Sequence, residues 1–147
     1  MPEPRIPEVS TETVQTACVA VNGRAVLIES RSDEARTDLT LRLIDRNAVL
    51  VADDCTICQR QEGALLARAP DVARGRIEVR GLGVVELSYA ERVPVDLLVV
   101  LLDSPPRFPE EQRKRRIAGV DVPVLALSAL DPSAPIKVEL AVGRFGR

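Results

Sequence analysis

Histidine is missing from the chain altogether, and so is tryptophan. With no imidazole there is no Ser-His-Asp triad, no histidine general base and no mixed His-Cys zinc site. Aromatic residues make up 2% of the 147 positions, so a core has to be built from Val, Leu, Ile and Ala, within a hydrophobic share of 46%. Three cysteines are too few for a disulfide framework, and odd in number. No apolar run approaches the roughly 18 residues of a membrane-spanning helix. The opening Met1-Pro2-Glu3-Pro4-Arg5 lacks the charge-then-apolar pattern of a secretory leader. Net charge is also scarce: 20 Lys and Arg against 22 Asp and Glu leave −2, which excludes a broadly basic nucleic-acid surface. The expectation is a soluble cytoplasmic protein with neither nucleic acid nor membrane as partner.

Against these absences, one domain's worth of patterned sequence stands out. Residues 1–13, with three prolines and several charges, read as a lead-in, and 14–147 as the domain. Residues 14–21 read as a strand, Asn22-Gly23 as a tight hairpin turn, and 24–28 as its partner. After a polar stretch, 29–36, the spacing of Leu39, Leu41, Leu43 and Ile44 predicts a helix over 37–46, opened by Thr37 or Asp38. A short apolar strand, 48–52, then stops at Asp53-Asp54. Strand, loop, helix and strand make a βαβ-like unit.

The remainder reads as mostly β. Residues 56–59 and 64–67 suit a hairpin, 77–80 and 84–87 flank Gly81-Leu82-Gly83, and 96–102 is apolar on both faces, as a central strand would be. Residues 109–116, acids first and bases last, predict an exposed helix. Residues 122–127 predict a strand, and 136–142 a closing helix with Pro135 in its first turn. The fold class is α/β: a mixed, β-rich sheet with few helices.

Three stretches carry a family resemblance: Arg42-Leu43-Ile44-Asp45-Arg46, Leu50-Val51-Ala52-Asp53-Asp54, and, most specifically, Ile77-Glu78-Val79-Arg80-Gly81-Leu82-Gly83. In that order and spacing the chain resembles the C-terminal catalytic domain of HPr(Ser) kinase/phosphorylase, in its short bacterial form, over roughly 14–142. The resemblance implies a P-loop kinase domain related to phosphoenolpyruvate carboxykinase. It implies ATP and Mg²⁺ as cofactors, an HPr-like phosphocarrier protein as partner, and a place in carbohydrate phosphotransferase regulation. Homo-oligomers are an expectation from the same source. Carried over residue by residue, it assigns catalysis to Asp53 and Asp54, nucleotide contacts to Ser32, Arg36 and Thr37, and metal contacts to Thr37, Asp54 and Glu78. An Asp at such a site accepts the serine proton while neighbouring carboxylates hold Mg²⁺.

The departures from the family bear directly on activity. The window matching G-x-x-x-x-G-K-[ST] is Ser30-Arg31-Ser32-Asp33-Glu34-Ala35-Arg36-Thr37, which keeps only the final hydroxyl. Glycines let consecutive N–H groups turn inward around a phosphate, because they reach positive φ without a Cβ clash. Asp33 and Glu34 add negative charge where a polyphosphate would sit. At an effective dielectric of about 20 and about 6 Å, each like-charge encounter costs about 3 kcal/mol, less where the side chain can swing into water. Gln15 stands where short family members carry a histidine. Two readings follow. In the first, the chain is a family homologue with impaired or lost ATP binding and phosphotransfer, acting as a regulatory or binding module. In the alternative, it is an active serine kinase/phosphorylase with a divergent loop.

Two further features have mundane readings. Cys55-Thr56-Ile57-Cys58 has one further cysteine and no histidine to complete a zinc site, and its placement on a strand does not suit a redox pair. The basic cluster Arg113-Lys114-Arg115-Arg116 reads as a solvated helix end. Its functional reading is an anion contact by Arg113, Arg115 or Arg116.

Overall fold

The computed structural model describes residues 10–107 and 113–144. Eleven strands and two α-helices follow one another along these residues. Strands β1 (Ser10–Val14), β2 (Ala17–Val21) and β3 (Arg24–Glu29) come first, followed by helix α1 (Asp33–Asp45) and β4 (Val49–Ala52). Next are β5 (Thr56–Gln61), β6 (Ala64–Arg68), β7 (Arg76–Val79) and β8 (Gly83–Glu86). Strands β9 (Val93–Leu102), β10 (Arg113–Ile117) and β11 (Val120–Ser128) lead to helix α2 (Ala134–Ala141).

Strand β9 joins two leaves of one nine-stranded sheet. Its first residues pair with β6, which continues through β5 to β1, antiparallel throughout. The rest of β9 runs parallel to β3 on one edge and to β11 on the other. Beyond β3 lie β2 and β4, each pairing antiparallel to its neighbour, and β10 closes the far edge. The βαβ-like unit expected from sequence is thus present but split, because antiparallel β2 lies between β3 and β4.

Side-chain alternation explains the layering. In β3, Ala25 and Leu27 face one core while Val26 and Ile28 face another. The first core lies between the two leaves and includes Cys18, Cys58, Leu65, Leu98 and Val122. The second lies under the helices, where Leu39 and Leu43 of α1 and Val138 of α2 meet Val19, Leu97 and Val99. Because β9 is apolar on both faces, it feeds both cores, as its unbroken apolar run predicts.

A buried carboxylate marks one irregularity. Ala25 pairs with Val95 but Val26 pairs with Leu97, so Asp96 is an extra residue in β9. Only 4% exposed, Asp96 accepts from Arg24 Nη1 at 3.0 Å and from the Gly143 N–H at 2.6 Å. It ties the start of β3 to the chain just beyond α2.

Several sequence expectations need correcting. Residues 14–21 are not one strand: the chain breaks at Gln15-Thr16, so β1 joins one leaf and β2 the other. Thr16 turns inward there, its hydroxyl donating to Thr56 Oγ1 at 3.0 Å, and Thr56 Oγ1 donates to the Thr16 carbonyl. Strand β1 begins at Ser10, inside the stretch read as lead-in. Helix α1 begins at Asp33, a turn before Thr37. Arg113–Ile117 is a strand, because the backbone pairs with β11 in register from Arg113↔Val124 to Ile117↔Val120. The rest of the helix expected over 109–116 lies outside the described residues. The two hairpins and the closing helix agree with the sequence reading, with small shifts at their ends. No described helix is long and apolar enough to cross a membrane.

Candidate functional site

A cleft of about 540 Å³ opens between the first turns of α1, the end of β4 and the β7–β8 hairpin. Three of the eight residues in the loop window precede α1 and the other five are its first residues. Ser32 sets that start: its hydroxyl accepts from the Ala35 N–H at 3.1 Å, and its carbonyl accepts from the Arg36 N–H at 3.1 Å. The Ser32 N–H itself donates to Ser30 Oγ at 3.1 Å. Ser32 is therefore a helix N-cap. Asp33 and Glu34 follow in the first turn, where the positive end of the helix dipole stabilises carboxylates. Between β3 and α1 only Ser30, Arg31 and Ser32 remain as loop.

Of the residues singled out from sequence, Arg36, Thr37, Asp53, Asp54 and Glu78 all line the cleft. Ser32 does not, because its side chain is committed to the cap. Gln15 is exposed at the β1–β2 break, away from the cleft. The basic strand is also outside it. Arg115 grips Glu29 with two bonds, at 2.8 and 3.2 Å, and Arg116 pairs with Asp121 at 3.2 Å.

Sequence reasoning overlooked Arg80, which also lines the cleft and pairs with Glu34 at 3.2 Å. Its signal was available, since it lies inside the Ile77–Gly83 stretch. Gly81 and Gly83, both at positive φ, turn the chain in the β7–β8 hairpin, where the Leu82 N–H bonds to the Val79 carbonyl at 2.9 Å.

Charge in the cleft is mostly negative. Six carboxylates line it (Asp33, Glu34, Asp38, Asp53, Asp54 and Glu78) against two guanidinium groups, Arg36 and Arg80. Arg36 is 8% exposed and its Nη2 donates to Asp33 Oδ1 at 2.8 Å, while its Nε is buried without a partner. Asp53 is half-buried, and Asp54 and Glu78 are exposed. Asp53 Oδ2 accepts the Glu78 N–H at 3.0 Å, which fixes the hairpin against the end of β4. Burial pushes the Asp53 carboxyl above its usual range. The Glu78 N–H and Arg36 pull it down, and Asp54 and Glu78 push it up.

The chemistry of these groups tests what the cleft can hold. Among the described residues no three acidic or thiol side chains converge closely enough to hold a metal ion. Magnesium in such sites commonly relies on one or two carboxylates plus the oxygens of a phosphate ligand. A polyphosphate in the cleft would meet six carboxylates and find Arg36 already paired with Asp33. The cysteines offer no alternative chemistry. All three are free, burial pushes the Cys18 thiol up, and burial with nearby Glu12 pushes Cys58 up to about 12.

Comparisons with known proteins converge on one family. The family model described as HPr Serine kinase C-terminal domain matches residues 8–132. An HPr kinase/phosphorylase of Mycoplasma pneumoniae is 34% identical over 116 residues, covering 69% of this chain and 37% of that protein. One of Geobacillus thermodenitrificans is 28% identical over 130 residues, covering 80% of this chain and 42% of the relative. The chain spans between a quarter and about two fifths of the length of the first such relatives. The fold matches the structure of the Hpr(Ser) kinase/phosphatase from Coxiella burnetii with a TM-score of 0.77 at 24% identity, covering 88% of this chain and 92% of that one. The mixed, β-rich P-loop kinase architecture is therefore shared.

Proposed function

The chain belongs to the HPr serine kinase C-terminal domain family, and from that premise we propose that ATP binding and serine phosphotransfer are impaired or lost in it. On this reading it acts as a regulatory or binding module of carbohydrate phosphotransferase control, and its partner is an HPr-like phosphocarrier. The observation that carries the proposal is the early start of α1. A phosphate-binding loop presents free N–H groups around an anion. Here the N–H groups of Ser32, Ala35 and Arg36 are spent on Ser30 and Ser32, and the remaining loop is three residues long. Arg36 in the lysine position is turned to Asp33 at 2.8 Å. A guanidinium so held does not offer the compact, free charge of a lysine.

The alternative reading, an active kinase/phosphorylase, draws on the convergence of Thr37, Asp53, Asp54 and Glu78 on one cleft. Calorimetric titration of Mg-ATP into the protein, with Arg36→Ala as control, separates the two. The proposal expects no heat up to millimolar ATP from a protein that still melts cooperatively. Micromolar binding that disappears in Arg36→Ala overturns it in favour of the active enzyme.

A further inference from the structure

Both guanidinium groups of the cleft are held by carboxylates from a single helical turn. Asp33 takes Arg36 and Glu34 takes Arg80, at 2.8 and 3.2 Å. The two pairs differ in burial. The Arg36 side chain is 10% exposed against 86% for Asp33, so Asp33 reaches in from solvent. Arg80 and Glu34 are both exposed, at 79% and 64%, and meet at the mouth of the cleft. Asp33 leaves one donor unserved, since Arg36 Nε is buried in the cleft wall with no acceptor. A buried guanidinium with a donor to spare has room for an anion with more acceptor oxygens than one carboxylate offers.

We infer that Asp33 and Glu34 are built-in counter-anions that occupy the place of a di- or triphosphate and determine that the cleft refuses such ligands. This rests on the reading of the site as nucleotide-impaired and assigns the impairment to two side chains. It differs from a general loss of loop geometry, because it makes the anion site latent. Neutralising both residues removes two of the six carboxylates, frees Arg36 and Arg80, and leaves the positive end of α1 facing the cleft without its own anions. Ser32 and its cap are untouched by this change.

The test uses inorganic pyrophosphate, with and without Mg²⁺, titrated calorimetrically into the full chain and into the Asp33→Asn, Glu34→Gln double variant. Both sites are exposed, so the fold is expected to persist, and circular dichroism with a thermal melt checks it. The double variant is expected to bind pyrophosphate at least about tenfold more tightly than the parent, and less so as salt is raised. Adding Arg36→Ala to the double variant is expected to erase the gain. A folded double variant that binds no better than the parent overturns the inference. So does a gain that survives Arg36→Ala. The outcomes separate from those of Mg-ATP titration. Tight ATP binding by the parent sinks the impaired reading and the counter-anion role with it, whereas an unresponsive double variant of a parent that refuses ATP sinks the counter-anion role alone.

Discussion

Replacing Asp96 with alanine tests how the fold is closed around β9. The carboxylate is 4% exposed and serves two donors, Arg24 Nη1 at 3.0 Å and the Gly143 N–H at 2.6 Å. A hydrogen bond to a charged group is worth about 1.5–3 kcal/mol, and the short bond from Gly143 belongs toward the upper part of that range. Arg24 has a side chain 45% exposed, so water replaces much of its bond and the ion pair adds at most about 1 kcal/mol. The expected loss is about 3 kcal/mol, which for a chain of this length lowers the melting midpoint by about 10 °C. Urea titration followed by circular dichroism measures it, with an unchanged slope showing that the unfolded state is not altered. Asp96→Asn keeps an acceptor for Gly143 and is expected to lose about half as much. A loss below about 1 kcal/mol in Asp96→Ala refutes the view that this carboxylate anchors the chain beyond α2.

Gly75 sits at φ +68°, and a Cβ there would lie 2.8 Å from both the Leu87 carbonyl oxygen and Tyr89 Cδ1. Gly75→Ala is expected to cost at least about 2 kcal/mol in a urea melt. Gly81→Ala, also at positive φ but with open space around it, should cost only about 1 kcal/mol of backbone strain. Asp53→Asn is expected to raise the melting temperature at neutral pH. The carboxyl's folded pKa lies above the ordinary 3.8, so the folded state holds its proton more tightly than the unfolded one, and stability falls as pH rises through that window. The gain should vanish below about pH 3.8, where both states carry the proton; a gain that persists there contradicts burial of the charge as its cause.

How much of this was legible in the sequence differs from element to element. Asn22-Gly23 announces its hairpin because both residues take positive φ, at 51° and 79°, which that dipeptide tolerates. The unbroken apolar run of β9 announces a strand covered on both faces. The start of α1 was missed although Ser32-Asp33-Glu34 is a good N-terminal sequence, a cap followed by two acids. The window's match to a glycine-rich loop masks that local signal. Residues 113–116 misled in another way: charge order along a segment says nothing about a backbone partner, and β11 supplies one. The break at Gln15-Thr16 depends on two leaves competing for successive residues, which no local pattern encodes. For the site, the resemblance located Arg36, Thr37, Asp53, Asp54 and Glu78 in one cleft. The ion pair between Glu34 and Arg80 joins residues far apart in sequence and became visible only in space.

The β7–β8 hairpin stands outside the nine-stranded sheet as a two-stranded sheet of its own. Two strands alone are marginal in water, so this hairpin borrows its order from buried Ile77, the Leu87-to-Gly75 bond at its base, and the link from Glu78 to Asp53. The cleft therefore resembles a vice with one jaw cast into the body and the other hung on a few bolts. Amide exchange along 76–86 is the natural gauge of that arrangement, because local opening of the hung jaw leaves the main sheet intact. A ligand that grips both jaws would slow exchange in the hairpin far more than it would raise the melting temperature of the whole chain.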